Sequence, residues 1–174
     1  LPVLSKLLPR LSVILTGGGV ANTFLRAKGL RVGASLIDAG ALGAARKLLR
    51  RAGKKLVLPL DCICDATLTK RGESTWRTVK EVPVGERIVD LGTRTAQLYA
   101  AHLKQARTIF WSGPIGLVEK KQWAHASLAL GRLVSARAGR RAFVAVGGGD
   151  TGAFFRQHNL AVDYVSLAGG AMLA

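Results

Sequence analysis

The sequence predicts an α/β fold, namely a three-layer α/β/α, Rossmann-like domain with a mostly parallel sheet. Short apolar or β-branched segments alternate with longer segments of helical periodicity. Most of the predicted strands end in a glycine-rich turn that leads into a helix, which is typical of right-handed βαβ units. The 174 residues are 49% hydrophobic and 21% charged, so the chain can bury a core and fits one domain, residues 1–174.

The first half of the chain is predicted to contain two strand–helix units. Residues 11–15 are apolar and β-branched and precede three consecutive glycines, while apolar residues three or four positions apart mark the second helix. A polar, irregular stretch follows. The predicted elements are a strand over 11–15, a helix over 20–28, a helix over 41–52, a strand over 56–60 and irregular structure over 67–84.

The second half repeats the alternation. Asp150 and Thr151 follow a run of glycines and are predicted to cap the helix that begins there. The predicted elements are strands over 87–90, 108–111, 142–146 and 162–167, and helices over 95–103, 122–137 and 150–158.

Glycine clusters occupy equivalent positions, where a strand ends and a helix begins. This edge of a parallel sheet is where open α/β proteins bind ligands. Glycine lets the backbone approach a phosphate, and the N-terminus of the following helix supplies positive potential. The pattern predicts phosphate or nucleotide binding at four clusters: Gly17 to Gly19, Gly113 with Gly116, Gly147 to Gly149, and Gly169 with Gly170.

The third cluster carries the groups that a magnesium nucleotide requires. The Asp150 carboxylate can hold Mg²⁺, and the Thr151 hydroxyl with nearby N–H groups can hold phosphate. The alternative is that both residues only cap the helix. A Walker P-loop motif is absent, and no acidic residue ends the strand after Gly147-x-Gly149-x-x-Gly152, so an NAD site is disfavoured.

The chain is strongly basic, with 26 Lys and Arg against 10 Asp and Glu, a net charge of +16. This excess favours binding along an RNA backbone through phosphate contacts, without aromatic residues interleaved among the cations. The alternative is that basic helices merely keep the protein soluble. The candidate RNA contacts are Arg46, Lys47, Arg50, Arg51, Lys54, Lys55, Arg137, Arg140 and Arg141, with Arg46, Arg50 and Lys54 expected on one helix face.

Two further features argue against metal or redox chemistry and against a membrane-spanning helix. Cys62 and Cys64 are too close in sequence for an ordinary loop-closing disulfide, so a buried or half-buried structural thiol pair is favoured over metal or redox chemistry. The apolar stretch over 11–25 is shorter than the ~20 residues of a membrane-spanning helix.

Several segments, in this order along the chain, resemble the C-terminal, nucleotide-binding half of phosphoglycerate kinase. The resemblance covers essentially the whole chain. It implies a protein that takes part in phosphate transfer between 1,3-bisphosphoglycerate and ADP, with Mg²⁺, when two domains close on each other. The matching segments are GGGVANTFL over 17–25, VGASL over 32–36, LPLD over 58–61, DLG over 90–92, WSGPIGLVE over 111–119 and GGGDT over 147–151.

The resemblance also implies roles for individual residues, for which turn glycines, a strand-terminating proline and a solvated glutamate are the alternatives. The implied base-binding residues are Gly17, Gly18 and Gly19, as the floor of an adenine pocket. The implied nucleotide loop comprises Pro114, Gly116 and Glu119, with Glu119 on the ribose hydroxyls. The implied phosphate and magnesium residues are Gly148, Gly149, Asp150 and Thr151, of which Asp150 is the metal ligand.

The sequence departs from the family pattern at several places. The family's sugar-phosphate domain and a lysine-bearing strand are expected before Leu1, which is not a Met. Ser112 replaces an Asn, residues 125–127 (His-Ala-Ser) replace Gly-Thr, and the last loop over 167–172 differs. We therefore expect the chain alone to bind ADP or ATP without turnover.

Two functions remain open after these departures. In the first, the domain is a non-catalytic, basic subunit of an RNA-rich assembly such as a mitochondrial ribosome, with neighbouring proteins at its N-terminal edge. The alternative is the nucleotide-binding half of an active phosphoglycerate kinase, in the cytoplasm or a glycosome-like compartment.

Overall fold

The computed structural model describes residues 1–69 and 73–166, and it confirms the α/β fold. None of the helices in these ranges combines the length and apolar character that crossing a bilayer requires. The helices are α1 (Pro2–Leu7), α2 (Gly18–Ala27), α3 (Leu42–Ala52), α4 (Thr93–Gln105), α5 (His125–Ser135) and α6 (Gly149–Gln157). The strands are β1 (Ile14–Leu15), β2 (Leu56–Val57), β3 (Asp61–Asp65), β4 (Thr75–Thr78), β5 (Arg87–Leu91), β6 (Thr108–Ser112), β7 (Phe143–Gly147) and β8 (Tyr164–Ser166).

Five strands form the parallel part of the structure. β1 pairs with β2, and β7 lies between β6 and β8, all in parallel. Beyond the ends of β1 and β6, the Gly18 N–H donates to the Ile115 carbonyl at 2.9 Å. The Tyr99 hydroxyl of α4 donates to the Thr16 carbonyl at 2.7 Å and to the Val57 carbonyl at 3.2 Å. The carboxyl ends of these strands therefore meet at one edge, as the sequence predicted.

A second, antiparallel sheet was not predicted. β3 is its central strand, with β4 on one side and β5 on the other. β4 lies inside the stretch that was predicted to be irregular, and β3 is buried at four of its five positions. A strand buried on both faces has no alternating polarity, so periodicity does not reveal it.

Other boundaries also differ from the predictions. The strands expected over 11–15 and 56–60 contract to two residues each, and helix α1 was not predicted. The helix expected over 122–137 begins at His125, after a separate 3₁₀ turn. The fourth glycine cluster, Gly169 with Gly170, lies outside the described residues.

Within the described residues, the core consists of three apolar clusters. The largest joins α4, α5 and α6 to β6 and β7 around Tyr99, Trp111 and Phe155. The second packs α1, α2 and α3 together, and the third lies on the antiparallel sheet. Cys62 and Cys64 are buried in the third cluster as free thiols, with their Sγ atoms 3.6 Å apart. The prediction of a buried thiol pair is confirmed.

Candidate nucleotide-binding site

The glycine turn after β1 packs against the loop after β6. Gly18 has a φ of +53° and donates its N–H to the Ile115 carbonyl. A Cβ atom at Gly17 would lie 3.0 Å from the Ile115 Cα, and one at Gly18 would lie 3.2 Å from the Pro114 carbonyl oxygen. Two of the predicted glycine clusters are therefore in direct contact at the carboxyl edge of the sheet.

The third cluster joins the same loop through Thr151. This threonine is buried in the first turns of α6, and its Oγ1 accepts a hydrogen bond of 2.8 Å from the Gly113 N–H. Gly148 has a φ of +100° and donates its N–H to the Ser166 carbonyl, which ties the turn to β8. The two interactions place the N-terminus of α6 beside the loop that carries Pro114.

The prediction that Asp150 and Thr151 cap α6 is wrong. The N-cap residue is Gly148, which has no side chain to accept a capping hydrogen bond, and Asp150 lies in the first helical turn. The Asp150 side chain is exposed and has no hydrogen-bond or ion-pair partner within residues 1–69 and 73–166. Its carboxylate therefore remains available to a ligand, whereas the Thr151 hydroxyl holds the neighbouring loop.

The remaining predicted residues lie along the loop after β6. A Cβ atom at Gly116 would collide with the Trp123 carbonyl and the Asp90 carboxylate, so glycine is required there. Glu119 lies in a turn that the Lys120 N–H closes by donating to the Leu117 carbonyl at 3.0 Å. Its exposed carboxylate has no partner in the part of the chain that the structure describes.

Ser127 also holds this loop, a role that the sequence did not predict. Ser127 is buried in α5, and its Oγ accepts a hydrogen bond of 3.2 Å from the Ile115 N–H. The Trp111 indole fixes the start of the same loop by donating to the Gly113 carbonyl at 2.7 Å. Ser127 belongs to the segment that departs from the family pattern, and the structure gives that segment a positioning contact.

Asp90, at the end of β5, is a second missed residue. Its carboxylate is 1% exposed and accepts hydrogen bonds from the Leu91 N–H at 2.9 Å and the Ala126 N–H at 3.1 Å. Burial raises the pKa of Asp90 to about 6, although these backbone hydrogen bonds act in the opposite direction. Asp90 therefore links the site loop to the start of α5 through a group that titrates near neutral pH.

Leu36 supplies an apolar surface next to the glycine turn. Its side chain is 79% exposed, and its Cδ2 lies 3.6 Å from the place that a Cβ of Gly19 would occupy. The Asn22 side-chain amide holds this segment by donating to the Leu36 carbonyl at 3.2 Å. An exposed leucine beside bare backbone suits one face of a planar, apolar group such as a nucleobase.

We expect Gly17→Ala to lower the free energy of unfolding by about 1–3 kcal/mol, because the added methyl group overpacks the contact with Ile115. Gly19→Ala is the matched control. Its Cβ meets Leu36 only at ordinary contact distance, and alanine is favoured over glycine inside a helix. Urea unfolding of both variants measures the difference. Equal stabilities of the two variants would show that the turn does not pack tightly on the loop.

The predicted RNA contacts differ in their surroundings. One expectation is wrong: α3 ends at Ala52, so Lys54 does not continue the helix face of Arg46 and Arg50. Arg137 is half-buried and donates to the Ala106 carbonyl at 2.8 Å, and its role as an RNA contact stays a prediction. Among the described residues, the ion pair between Arg77 and Glu86, at 2.8 Å, is the only one. The exposed candidates are Arg46, Lys47, Arg50, Arg51, Lys54, Lys55, Arg140 and Arg141.

Comparison with known proteins places these features in one family. The sequence model of the family described as phosphoglycerate kinase matches residues 1–174. The phosphoglycerate kinase of Chloroflexus aurantiacus is 37% identical over 176 residues, and that of Desulforudis audaxviator is 40% identical over 175 residues. Each match covers 98% of this chain and 44% of the relative.

The structural comparison agrees with the sequence comparison. The phosphoglycerate kinase from Coxiella burnetii superposes with a TM-score of 0.91 at 38% identity, covering 98% of this chain and 45% of that chain. The Pyrococcus horikoshii enzyme superposes with a TM-score of 0.82 at 27% identity, over 98% of this chain and 44% of that one. The chain spans less than half the length of these relatives, and it belongs to the phosphoglycerate kinase family.

Proposed function

We propose that this chain is the nucleotide-binding half of a phosphoglycerate kinase and that it binds ADP or ATP with Mg²⁺. The supporting observation is the joining of three glycine-rich turns at the carboxyl edge of the sheet, through the hydrogen bonds of Gly18 to Ile115 and of Gly113 to Thr151. Ligands of open α/β sheets bind at this edge.

Different parts of the site suit different parts of a nucleotide. The bare backbone of Gly17 to Gly19 and the exposed Leu36 side chain accommodate the base. The free Glu119 carboxylate can accept hydrogen bonds from ribose hydroxyls. At the N-terminus of α6, open space surrounds Gly149, so the helix N–H groups and dipole can act on phosphate oxygens.

The donor set fits Mg²⁺. Mg²⁺ is usually held by one or two carboxylates together with substrate phosphates, rather than by a cage of protein ligands. Asp150 provides one exposed carboxylate in the first turn of α6. The described residues contain no group of three or more His, Cys, Asp or Glu that could hold a metal without a substrate. Bound there with the nucleotide, Mg²⁺ would neutralise phosphate charge.

Within the complete enzyme, the proposed reaction is phosphate transfer between 1,3-bisphosphoglycerate and ADP. Catalysis of such a transfer depends mainly on positioning and on charge stabilisation. This chain would hold and orient the nucleotide, while the sugar-phosphate substrate would be bound by the other half. The family match supports this reading, whereas no comparison supports a ribosomal role.

We expect Asp150→Ala to weaken MgADP binding by about tenfold or more, since a bond to a charged group contributes about 1.5–3 kcal/mol. Binding of ADP in EDTA should be unchanged, because the carboxylate acts through the metal. Isothermal titration calorimetry of both ligands measures the two affinities. Glu73→Ala, which removes an exposed carboxylate from another part of the surface, is the matched control.

Two results would contradict this proposal. One is the same MgADP affinity in the wild type and the Asp150→Ala variant, which would remove Asp150 from the metal site. The other is the absence of binding of either adenine nucleotide at millimolar concentration to the folded wild-type chain, which would remove the nucleotide site itself.

A further inference from the structure

Cations precede four of the parallel strands. Because parallel strands begin at the same edge of a sheet, these residues lie at the end opposite the nucleotide site. The segments before β6 and β7 are adjacent, since the Phe143 N–H donates to the Arg107 carbonyl at 2.9 Å. We call this surface the cationic edge; its members are all exposed and comprise Arg10 before β1, Lys54 and Lys55 before β2, Lys104 and Arg107 before β6, and Arg140 and Arg141 before β7.

The cationic edge has almost no acidic counterpart. Residues 1–60 contain eleven Lys and Arg and a single acidic residue, Asp38. The carboxylate nearest to Arg140 and Arg141 in the sequence on this side is Asp163, and its Oδ2 accepts a hydrogen bond from the Val144 N–H at 2.7 Å. None of the seven cations forms an ion pair within the described residues. Asp163 lines the same surface as Arg107, Arg140 and Arg141, so seven cations face one carboxylate and the cationic edge keeps a net positive charge.

Helix dipoles stabilise only some of the cations at the cationic edge. The helices run opposite to the strands, so their negative C-terminal ends face the cationic edge and stabilise cations in the last turn. Lys104 occupies such a position in α4. Lys54, Arg107, Arg140 and Arg141 lie beyond the ends of their helices, where the dipole effect has fallen off. These four residues are therefore available to bind an anion from outside the chain.

Arginines and an aromatic ring line one open cavity at this edge. Its volume is about 410 Å³, and its lining includes Arg107, Arg140, Arg141 and Phe143 together with one carboxylate, that of Asp163. The Phe143 side chain is 53% exposed at the start of β7. The expectation that no aromatic residue interleaves the cations is wrong here. Phe143 closely follows Arg140 and Arg141 in the sequence, and folding adds Arg107 from 36 positions away.

This combination favours a single-stranded nucleic acid over a membrane surface. Arginine forks bind phosphate in bidentate fashion, and an exposed ring can stack on an unpaired base. Cations alone can attract anionic lipid head groups, but an amphipathic surface helix also inserts an apolar face. The apolar face of α3, formed by Ala45, Leu48 and Ala52, is buried against the core.

We propose that the cationic edge binds single-stranded RNA, with Arg107, Arg140 and Arg141 on phosphates and Phe143 against a base. The surface is separate from the nucleotide site, and this function does not depend on kinase activity. Recognition is independent of base identity, because phosphate contacts and stacking carry little sequence information.

The test is fluorescence anisotropy of a labelled 20-nucleotide uridine RNA with the full chain. Reversing three charges, in Arg107→Glu/Arg140→Glu/Arg141→Glu, should weaken binding roughly 100-fold at 0.1 M salt. The slope of log K against log salt should fall by about 2, because each phosphate contact on single strands contributes about 0.7. Phe143→Leu, which keeps an apolar side chain, should weaken binding about tenfold by removing the ring.

The matched control reverses three exposed cations elsewhere, in Lys80→Glu/Arg94→Glu/Lys121→Glu. It carries the same change in net charge and should retain most of the affinity. MgADP titration and thermal unfolding of each variant test whether it is folded. Equal losses in both triple variants, or unchanged RNA binding by the cationic-edge variant, would overturn the proposal. So would a cationic edge that binds phosphatidylserine vesicles but not the RNA.

Discussion

Replacing Asp61 by alanine is expected to lower the free energy of unfolding by about 4 kcal/mol. Asp61 is fully buried at the start of β3, and its carboxylate receives the first N–H groups of α4. It accepts hydrogen bonds from the Thr95 N–H at 2.7 Å, the Arg94 N–H at 3.1 Å and the Trp76 indole at 2.8 Å. Alanine would leave these donors without their acceptor.

The charge state of Asp61 follows from the same contacts. Burial acts to raise the pKa of Asp61, but hydrogen bonds from Thr95, Trp76 and Arg94 outweigh it and hold the pKa below its ordinary value. Because the folded pKa is lowered, Asp61 stabilises the protein above its unfolded pKa, and this contribution is lost as the pH falls through the folded pKa. The variant is therefore best compared with the wild type at pH 7.

Urea unfolding at pH 7 measures this effect. Asp38→Ala is the control, since the Asp38 carboxylate also accepts a helical N–H, that of Ala41 at 3.1 Å, but is exposed to water. Removing the Asp38 carboxylate should lower the free energy of unfolding by at most about 1 kcal/mol. Similar losses for the two variants would show that burial of the Asp61 hydrogen bonds does not determine their contribution.

The second large effect is a pH dependence that originates at Asp90. Its folded pKa of about 6 exceeds the ordinary value of 3.8 because the carboxyl group is buried. The folded state therefore holds a proton that the unfolded state releases, and Asp90 stabilises the fold below its unfolded pKa. This contribution, about 3 kcal/mol at about 1.4 kcal/mol per pKa unit, should be lost as the pH rises from about 4 through 6.

The Asp90→Asn variant isolates this contribution from those of the other carboxylates. Asparagine resembles the protonated side chain and does not titrate. The free energy of unfolding of the wild type, relative to that of Asp90→Asn, should fall by about 2 kcal/mol between pH 4 and pH 7, since part of the contribution is already lost at pH 4. A constant difference, or a wild type that gains stability relative to the variant as the pH rises, would contradict the raised pKa.

The parts of the site that could be predicted are those built from short sequence segments. A run of three glycines follows β1 and another begins at the last residue of β7, and the direction of parallel strands brings these turns to one edge. Asp150 was identified as a candidate metal ligand because it follows such a turn. Its position as a free carboxylate beyond the Gly148 N-cap, however, required backbone geometry.

The parts that could not be predicted depend on contacts between distant segments. Ser127, in α5, holds the loop after β6 by accepting a hydrogen bond from the Ile115 N–H. Asp90 accepts a hydrogen bond from the Ala126 N–H at the start of α5, 36 positions later in the sequence. β3 escaped detection because a strand that is buried on both faces lacks alternation. Neither contact nor burial is encoded in the local spacing of residues.

The same distinction applies to the surface. Composition, periodicity and motif order were sufficient to predict the α/β class, the family resemblance and the excess of cations. The folded structure was needed to show that Arg107 joins Phe143, Arg140 and Arg141, and that the three glycine turns form one site. Strand pairing and helix packing act between residues far apart in the chain, and they determine which distant side chains become neighbours.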